Sequence, residues 1–276
     1  MTASTMPRSW QPFLREADLA RHCLAGGLNA LFRASHTNTG LFNSAFFNLS
    51  IGLERLMKLI GVVNFAQLNG GTFPTQNEMK KKFGHDLVKL REQAEMIGDR
   101  LLNDNAHFEF HLPDPVLAGR IVGVLGEFAK ATRYYNIDSL VGAKDLGRDP
   151  LTAWTDEVAR YLMSGYPMRL RRRDEGWAAG TDQALGETSI VRQETVDGNP
   201  ITTLSDSILH SSRGRWVQQT ATFHCAAVVR ELVQVLWALE DREPPPGAVR
   251  LPMIHEFFRT FYNDDAFLRN RRTFLD

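Results

Sequence analysis

Residues 42–63, FNSAFFNLSIGLERLMKLIGVV, place apolar side chains at Phe42, Phe46, Leu49, Leu53, Leu56, Ile60 and Val63. The steps alternate between four and three, the spacing of a single stripe along an α-helix, whereas a strand would alternate with a period of two. An apolar stripe of this length must be covered by other apolar surface, so the segment predicts one long helix of a helical assembly. Glu54 and Lys58 lie one turn apart off the stripe and can pair.

The same reading extends outward. After the loop NGGTFP, Thr75 and Glu78 form a capping box, T-Q-N-E. The helix it opens carries Phe83, Leu87, Leu90, Ala94, Ile97 and Leu101. Asp114-Pro115 is a helix start, with Asp as cap and Pro at the first helical position. Its stripe is Leu117, Ile121, Val124, Phe128, Ala131 and Tyr135. Asp149-Pro150 repeats the device before Leu151, Trp154, Val158 and Tyr161. A less cleanly patterned first helix runs from Glu16 to Arg33. Thr220 to Glu240 is apolar over most of its circumference, which predicts a deeply buried helix. Glu243-Pro244-Pro245-Pro246-Gly247 is a stiff break before a last aromatic-rich helix with Phe257, Phe258, Phe261 and Tyr262.

Between these helices, residues 174–214 are poor in large apolar groups. They read as an irregular insertion, either mobile or holding a short β-hairpin about Asp197-Gly198. The fold class is therefore mainly α. We expect a helical bundle over residues 10–143 and a helical extension over 144–276 that carries the insertion.

The totals narrow the function classes. The chain has 276 residues, 43% of them hydrophobic, with Lys+Arg and Asp+Glu balanced at 32 each. No overall positive field draws in nucleic acid, so any anion binding must come from local patches. Cys23 and Cys225 make neither a disulfide framework nor a C-x-x-C ligand pair. The N-terminus MTASTMPRSWQPF lacks a signal-peptide core, and the longest apolar stretches are short and interrupted by charges. A cytoplasmic protein that does not cross a membrane is the expectation. No P-loop, G-x-G-x-x-G or G-x-S-x-G occurs, and no cofactor or metal is assigned.

Residues 80–93, KKKFGHDLVKLREQ, hold the first candidate site. On the helix opened by Thr75, His85 points away from the stripe of Phe83 and Leu87 and shares a basic face with Lys81, Lys82 and Lys89. Lys80, Lys81 and Lys82 could hold a phosphate beside the imidazole. The alternative is a solvated helix face that happens to contain a histidine.

SIGLERLMKLI, followed by GHDLVKLRE and by a third helix ending RYYNID, resembles the HEPN superfamily, the higher eukaryote and prokaryote nucleotide-binding domains. The resemblance spans roughly residues 10–140. It implies a compact helical bundle, commonly dimeric, found in toxin–antitoxin, phage-defence and RNA-processing systems. Many members are metal-independent RNases, whose motif is an Arg, usually a polar residue after it, and a His after four to six intervening positions. Their His serves as acid or base in attack by the ribose 2′-hydroxyl. Others bind nucleotides or partner proteins without cleaving. Here Lys80 stands where His85 would require the Arg, and lysine lacks the planar fork. The bare spacing is met by Arg15 and His22, by Arg100 and His107, and by Arg250 and His255. Arg100 and His107 flank a helix end and are the second catalytic candidate.

Arg133-Tyr134-Tyr135-Asn136 joins a cation, two rings and an amide at a helix end. The rings can stack a base, with Arg133 and Lys130 on phosphate. Alternatively Tyr135 continues the stripe and Asn136 caps the helix. Arg169, Arg171, Arg172 and Arg173 form the densest basic cluster; they contact phosphates or are solvated ends of helices, where cations favour the C-terminus. The leading expectation is a HEPN-like protein that interacts with nucleotide or RNA, works as a homodimer and belongs to a defence or stress system. The rivals are a scaffold for a protein partner and a small-molecule pocket between helices.

Overall fold

The computed structural model describes residues 10–104, 111–243 and 250–274. Among the described residues, 75% are helical. In order the elements are α1 (Trp10–Arg33), α2 (Gly40–Leu68), α3 (Gln76–Lys82), α4 (Leu87–Asp104), α5 (Pro115–Glu127) and α6 (Tyr135–Leu140). There follow α7 (Pro150–Trp154), α8 (Arg160–Ser164), α9 (Met168–Leu185), β1 (Gln193–Glu194), β2 (Pro200–Ile201), α10 (Leu204–Asp241) and α11 (Asp265–Asn270). A 3₁₀ helix, Ile254–Phe261, precedes α11. The mainly α class is thus established.

The chain forms two compact units, neither of them a single stretch of sequence. Among the described residues, the first holds 10–26, 48–104, 111–113, 226–243 and 250–274; the second holds 27–47 and 114–225. This division differs from a boundary at residue 143. Helices α1, α2 and α10 each contribute residues to both units, and a helix packs with whatever apolar faces meet its own, whatever their order in the chain.

The stripe that opened the sequence reading is buried along its whole length, from Phe42 to Val63. Each such side chain contributes roughly 1.5–3 kcal/mol by leaving water. The first unit also buries Leu87, Leu90, Ala94 and Leu101 of α4 and the apolar side chains Val228, Val229, Leu232, Val233, Val235, Leu236 and Leu239 of α10. In the second unit Phe46 lies 6.0 Å from Phe42, 5.6 Å from Phe128 and 5.2 Å from Trp154, centroid to centroid.

The helix starts are where their chemistry places them. Thr75 and Glu78 make the reciprocal capping box. Asp114 accepts from the Leu117 amide and Asp149 from the Leu151 amide, each followed by its proline.

Four expectations are corrected. Residues 174–214 are not an irregular insertion: α9 continues to Leu185 and α10 begins at Leu204, leaving 186–203 as the irregular part. Helix survives there because one narrow face, Asp174 and Ala178, is buried while the rest is wet, and such a face needs few large apolar residues. The Asp197-Gly198 turn does close a hairpin, with Gln193 opposite Ile201 and Gly198 at φ 81°. Next, α1 starts at Trp10, before Glu16. The stripe of α5 ends at Phe128, because residues 128–132 form a wider π-helical turn that buries Thr132 instead of Ala131. Finally, α3 and α4 are separate helices. His85 lies in the turn between them, where Asp86 caps α4 by accepting from the Val88 and Lys89 amides.

Candidate functional site

The end of α10 and the 3₁₀ helix after it build the best-formed site, wholly within the first unit. Glu240 is buried on the last turn of α10, and its carboxylate holds the start of the 3₁₀ helix. One oxygen accepts from the Ile254 amide at 2.9 Å. The other accepts from the His255 amide at 3.2 Å and pairs with His255 Nδ1 at 2.6 Å. An ionised carboxylate can only accept, so Nδ1 carries the proton of the pair. The remaining nitrogen, Nε2, lies 3.4 Å from the Glu256 carboxylate.

Trp237 sits three residues before Glu240 on the same helical face. Its indole stacks on the His255 ring, with centroids 5.6 Å apart and planes at 28°. Tyr262 meets the indole edge-on at 4.7 Å. Burial raises the Tyr262 phenol above its usual range. These rings, with Arg259, Asn263 and Arg271, line an open cleft of about 490 Å³. Arg271 lies over the Phe267 ring at 5.1 Å, and Arg259 is 3.7 Å from Glu256. The floor is fixed from behind: the buried Arg230 bonds the Asn263 carbonyl at 3.0 Å and the Asp265 carboxylate at 2.7 Å.

Chemically the cleft offers flat aromatic surface, two guanidinium groups and an imidazole whose orientation is set by a buried carboxylate. Neutral His255 has its basic nitrogen at Nε2 and can accept a proton there; protonated, it donates from the same atom. Among the described residues no group of three or more His, Cys, Asp and Glu side chains is placed to hold a metal ion.

The residues singled out by the sequence fall into separate groups. His85 is 84% exposed, and its Nδ1 lies 2.8 Å from the Glu54 carboxylate. Lys58 binds the same carboxylate at 2.7 Å. The expected basic face is therefore corrected, because α2 brings the Glu54 carboxylate to the imidazole. Burial pushes the Glu54 carboxyl up, but the hydrogen bonds of Lys58 and His85 outweigh it and hold the group below its ordinary value. Lys80, Lys81, Lys82 and Lys89 are exposed. The Lys82 ammonium lies 4.8 Å over the Phe65 ring.

Arg133, Tyr134 and Asn136 are brought together in the second unit, around a smaller cleft of about 220 Å³ that also includes Asn43 and Asp149. Tyr135 opens α6 and does not extend the α5 stripe, and Asn136 lies inside α6 and is not a cap. Arg133 is anchored to the Ala129 carbonyl at 2.8 Å and sits over the Phe47 ring at 5.8 Å. Lys130 is exposed on the π-helical turn. Arg100 contacts the Met96 carbonyl at 3.4 Å, while His107 lies outside the described residues. Of the three Arg–His spacings, that of Arg250 and His255 has its histidine in the large cleft.

Sequence reading missed Trp237, Glu240 and Tyr262. One signal was available: Glu240 ends a run of α10 that is otherwise nearly all apolar, and a carboxylate there must find partners. Neither its partners nor the meeting of Trp237 with Tyr262 could be read from spacing. The chain matches no protein-family model, no curated protein and no solved structure.

Proposed function

We propose that this protein binds a nucleotide or a segment of RNA in the cleft at the end of α10. The observation that supports this reading is the convergence of Trp237, Tyr262 and His255 with Arg259 and Arg271 on one open surface. A base stacks on the indole or phenol face, and the guanidinium groups take the phosphate. His255, held by Glu240, is placed for acid–base chemistry at a ribose hydroxyl. In the same reading the Lys81–Lys82–His85 turn and the Arg133 cleft are further phosphate contacts, and the protein is a cytoplasmic HEPN-like member of a defence or stress system. Helix α10 passes the length and hydropathy test for a membrane span, yet 83% of its apolar window is buried within the protein.

Calorimetric titration of AMP tests the reading. Wild type binds and Trp237→Ala loses most of the affinity; no heat of binding at low salt with folded protein sinks it. RNA incubated with wild type and His255→Ala reports whether cleavage accompanies binding.

Partner binding is a second reading with its own observation. Tyr134, Ile137, Leu140 and Val141 are 63%, 61%, 86% and 74% exposed on and beside α6. A contiguous apolar surface of this kind suits a second copy of the chain. Light scattering above the monomer mass of 31.2 kDa, reversed by Leu140→Glu, supports the homodimer; a monomer at every concentration rejects it.

A further inference from the structure

The densest basic cluster of the chain opens α9. Cations are stabilised at the C-terminal end of a helix and disfavoured at the N-terminal end. Yet Arg169, Arg171, Arg172 and Arg173 all fall within the first six residues of α9, with no acidic residue in its first turn and no side-chain cap. Helix-end electrostatics therefore argues against the cluster instead of explaining it. Ion pairing accounts for only one member, since Arg173 bonds the buried Asp174 at 2.9 Å. Arg169, Arg171 and Arg172 have no ion pair among the described residues.

The cluster is also oriented. At 3.6 residues per turn, Arg169, Arg172, Arg173, Gly176 and Gly180 span an arc of roughly 100°, and its centre lies about opposite the buried residues Asp174 and Ala178. Arg169, Arg172 and Arg173 are exposed. The two glycines cost helix stability on the order of 1 kcal/mol each relative to alanine. Packing does not require them, because nothing lies within 4 Å of a Cβ built at either. Together they leave an open backbone shelf beside the arginines. Trp177, 67% exposed, stands at the edge of this shelf, one turn after Arg173.

We propose that this face of α9 binds the phosphodiester backbone of a single-stranded nucleic acid, with an unpaired base stacked on Trp177. Two unpaired guanidinium groups nearly one turn apart, Arg169 and Arg172, are each free to take a phosphate, with the Asp174-paired Arg173 beside them, and arginine grips phosphate oxygens in pairs where lysine does so as a point charge. The exposed indole favours a single strand, whose bases are free to stack. A lipid surface fits less well: an interfacial helix must present an apolar face to insert, and here Ala178 and its neighbours are turned inward. The inference extends the nucleotide reading to a surface of the second unit and stands on α9 alone.

Fluorescence anisotropy with a labelled oligouridylate on the full chain tests it. The Arg169→Glu/Arg172→Glu variant should lose affinity by on the order of tenfold or more and show a shallower salt dependence, by about 0.7 in log–log slope per contact removed. Its melting temperature should be unchanged or higher, because acids suit a helix N-terminus. Trp177→Ala should weaken binding roughly fivefold or more with the slope unchanged. Wild-type affinity and slope in the charge-reversed variant would overturn the proposal. So would binding to phosphatidylserine vesicles without binding to the oligonucleotide, which makes the face a lipid contact. AMP titration separates this result from the cleft: the charge-reversed variant should bind AMP as wild type does, and loss of AMP binding only in Trp237→Ala concerns the cleft alone.

Discussion

Glu240 holds His255 twice, by its backbone amide at 3.2 Å and by its ring nitrogen Nδ1 at 2.6 Å, while also taking the amide of Ile254. One buried carboxylate thus ends α10, starts the next helix and orients the imidazole of the cleft. Replacing it by alanine leaves three donors without an acceptor. The expected cost is about 2–4 kcal/mol, read from urea unfolding. His255→Ala keeps both amide bonds and should cost less, while lowering nucleotide affinity. Equal stability of Glu240→Ala and wild type would show that the bonds are not made.

A second, partly buried carboxylate gives a pH signature. Burial raises the Glu231 carboxyl to about 7, against the pull of Arg91, whose guanidinium lies 4.0 Å away; Glu95 and Asp99 push it further up. The folded state therefore takes up this proton more readily than the unfolded chain. Its contribution to stability is full below about pH 4.5 and is lost as pH rises through about 7. The loss amounts to about 3 kcal/mol. Relative to Glu231→Gln, wild type should weaken across that window. Parallel stability curves for the two proteins would rule this out.

Two glycines in long helices should respond oppositely to alanine. A Cβ on Gly52 would lie 2.7–2.9 Å from the side chain and backbone nitrogen of Leu24, and the backbone cannot yield. Gly52→Ala should cost on the order of 1–3 kcal/mol despite the better helix former. Gly176→Ala meets nothing and should gain roughly 0.5–1 kcal/mol. Thermal denaturation decides both.

The thiols should differ in reach. Cys225 is fully packed, and burial pushes its thiol up to about 12. Cys23 is raised too, again chiefly by burial, but it is only half-buried. A maleimide at neutral pH should label Cys23 first and Cys225 only on unfolding; early labelling of Cys225, located by peptide mapping, would contradict the packing of α10.

His85→Ala should leave the melting temperature nearly unchanged, because the side chain is 84% exposed. If the turn contacts phosphate, the variant binds AMP or oligouridylate more weakly at low salt. A large loss of stability would mean that the Glu54–His85 contact carries structure.

Local chemistry was legible along the chain. The four-and-three spacing of Phe42 to Val63, the Thr75–Glu78 box and the Asp-Pro starts at 114 and 149 each act within a few residues, so the sequence by itself determined the buried face of α2 and the starts of α3, α5 and α7. Interruptions were harder to see: the π-helical turn at 128–132 and the break around His85 depend on how a turn is accommodated by the surface it packs on. Tertiary structure alone decided the sites. It paired His85 with Glu54 across 31 positions and Glu240 with His255 across 15, and it turned Arg169, Arg172 and Arg173 of α9 away from the packed face. The reason is one of range. Helix propensity and capping are settled between neighbours in sequence, whereas a cleft is made by side chains whose distance in space the sequence leaves open until the apolar faces have packed.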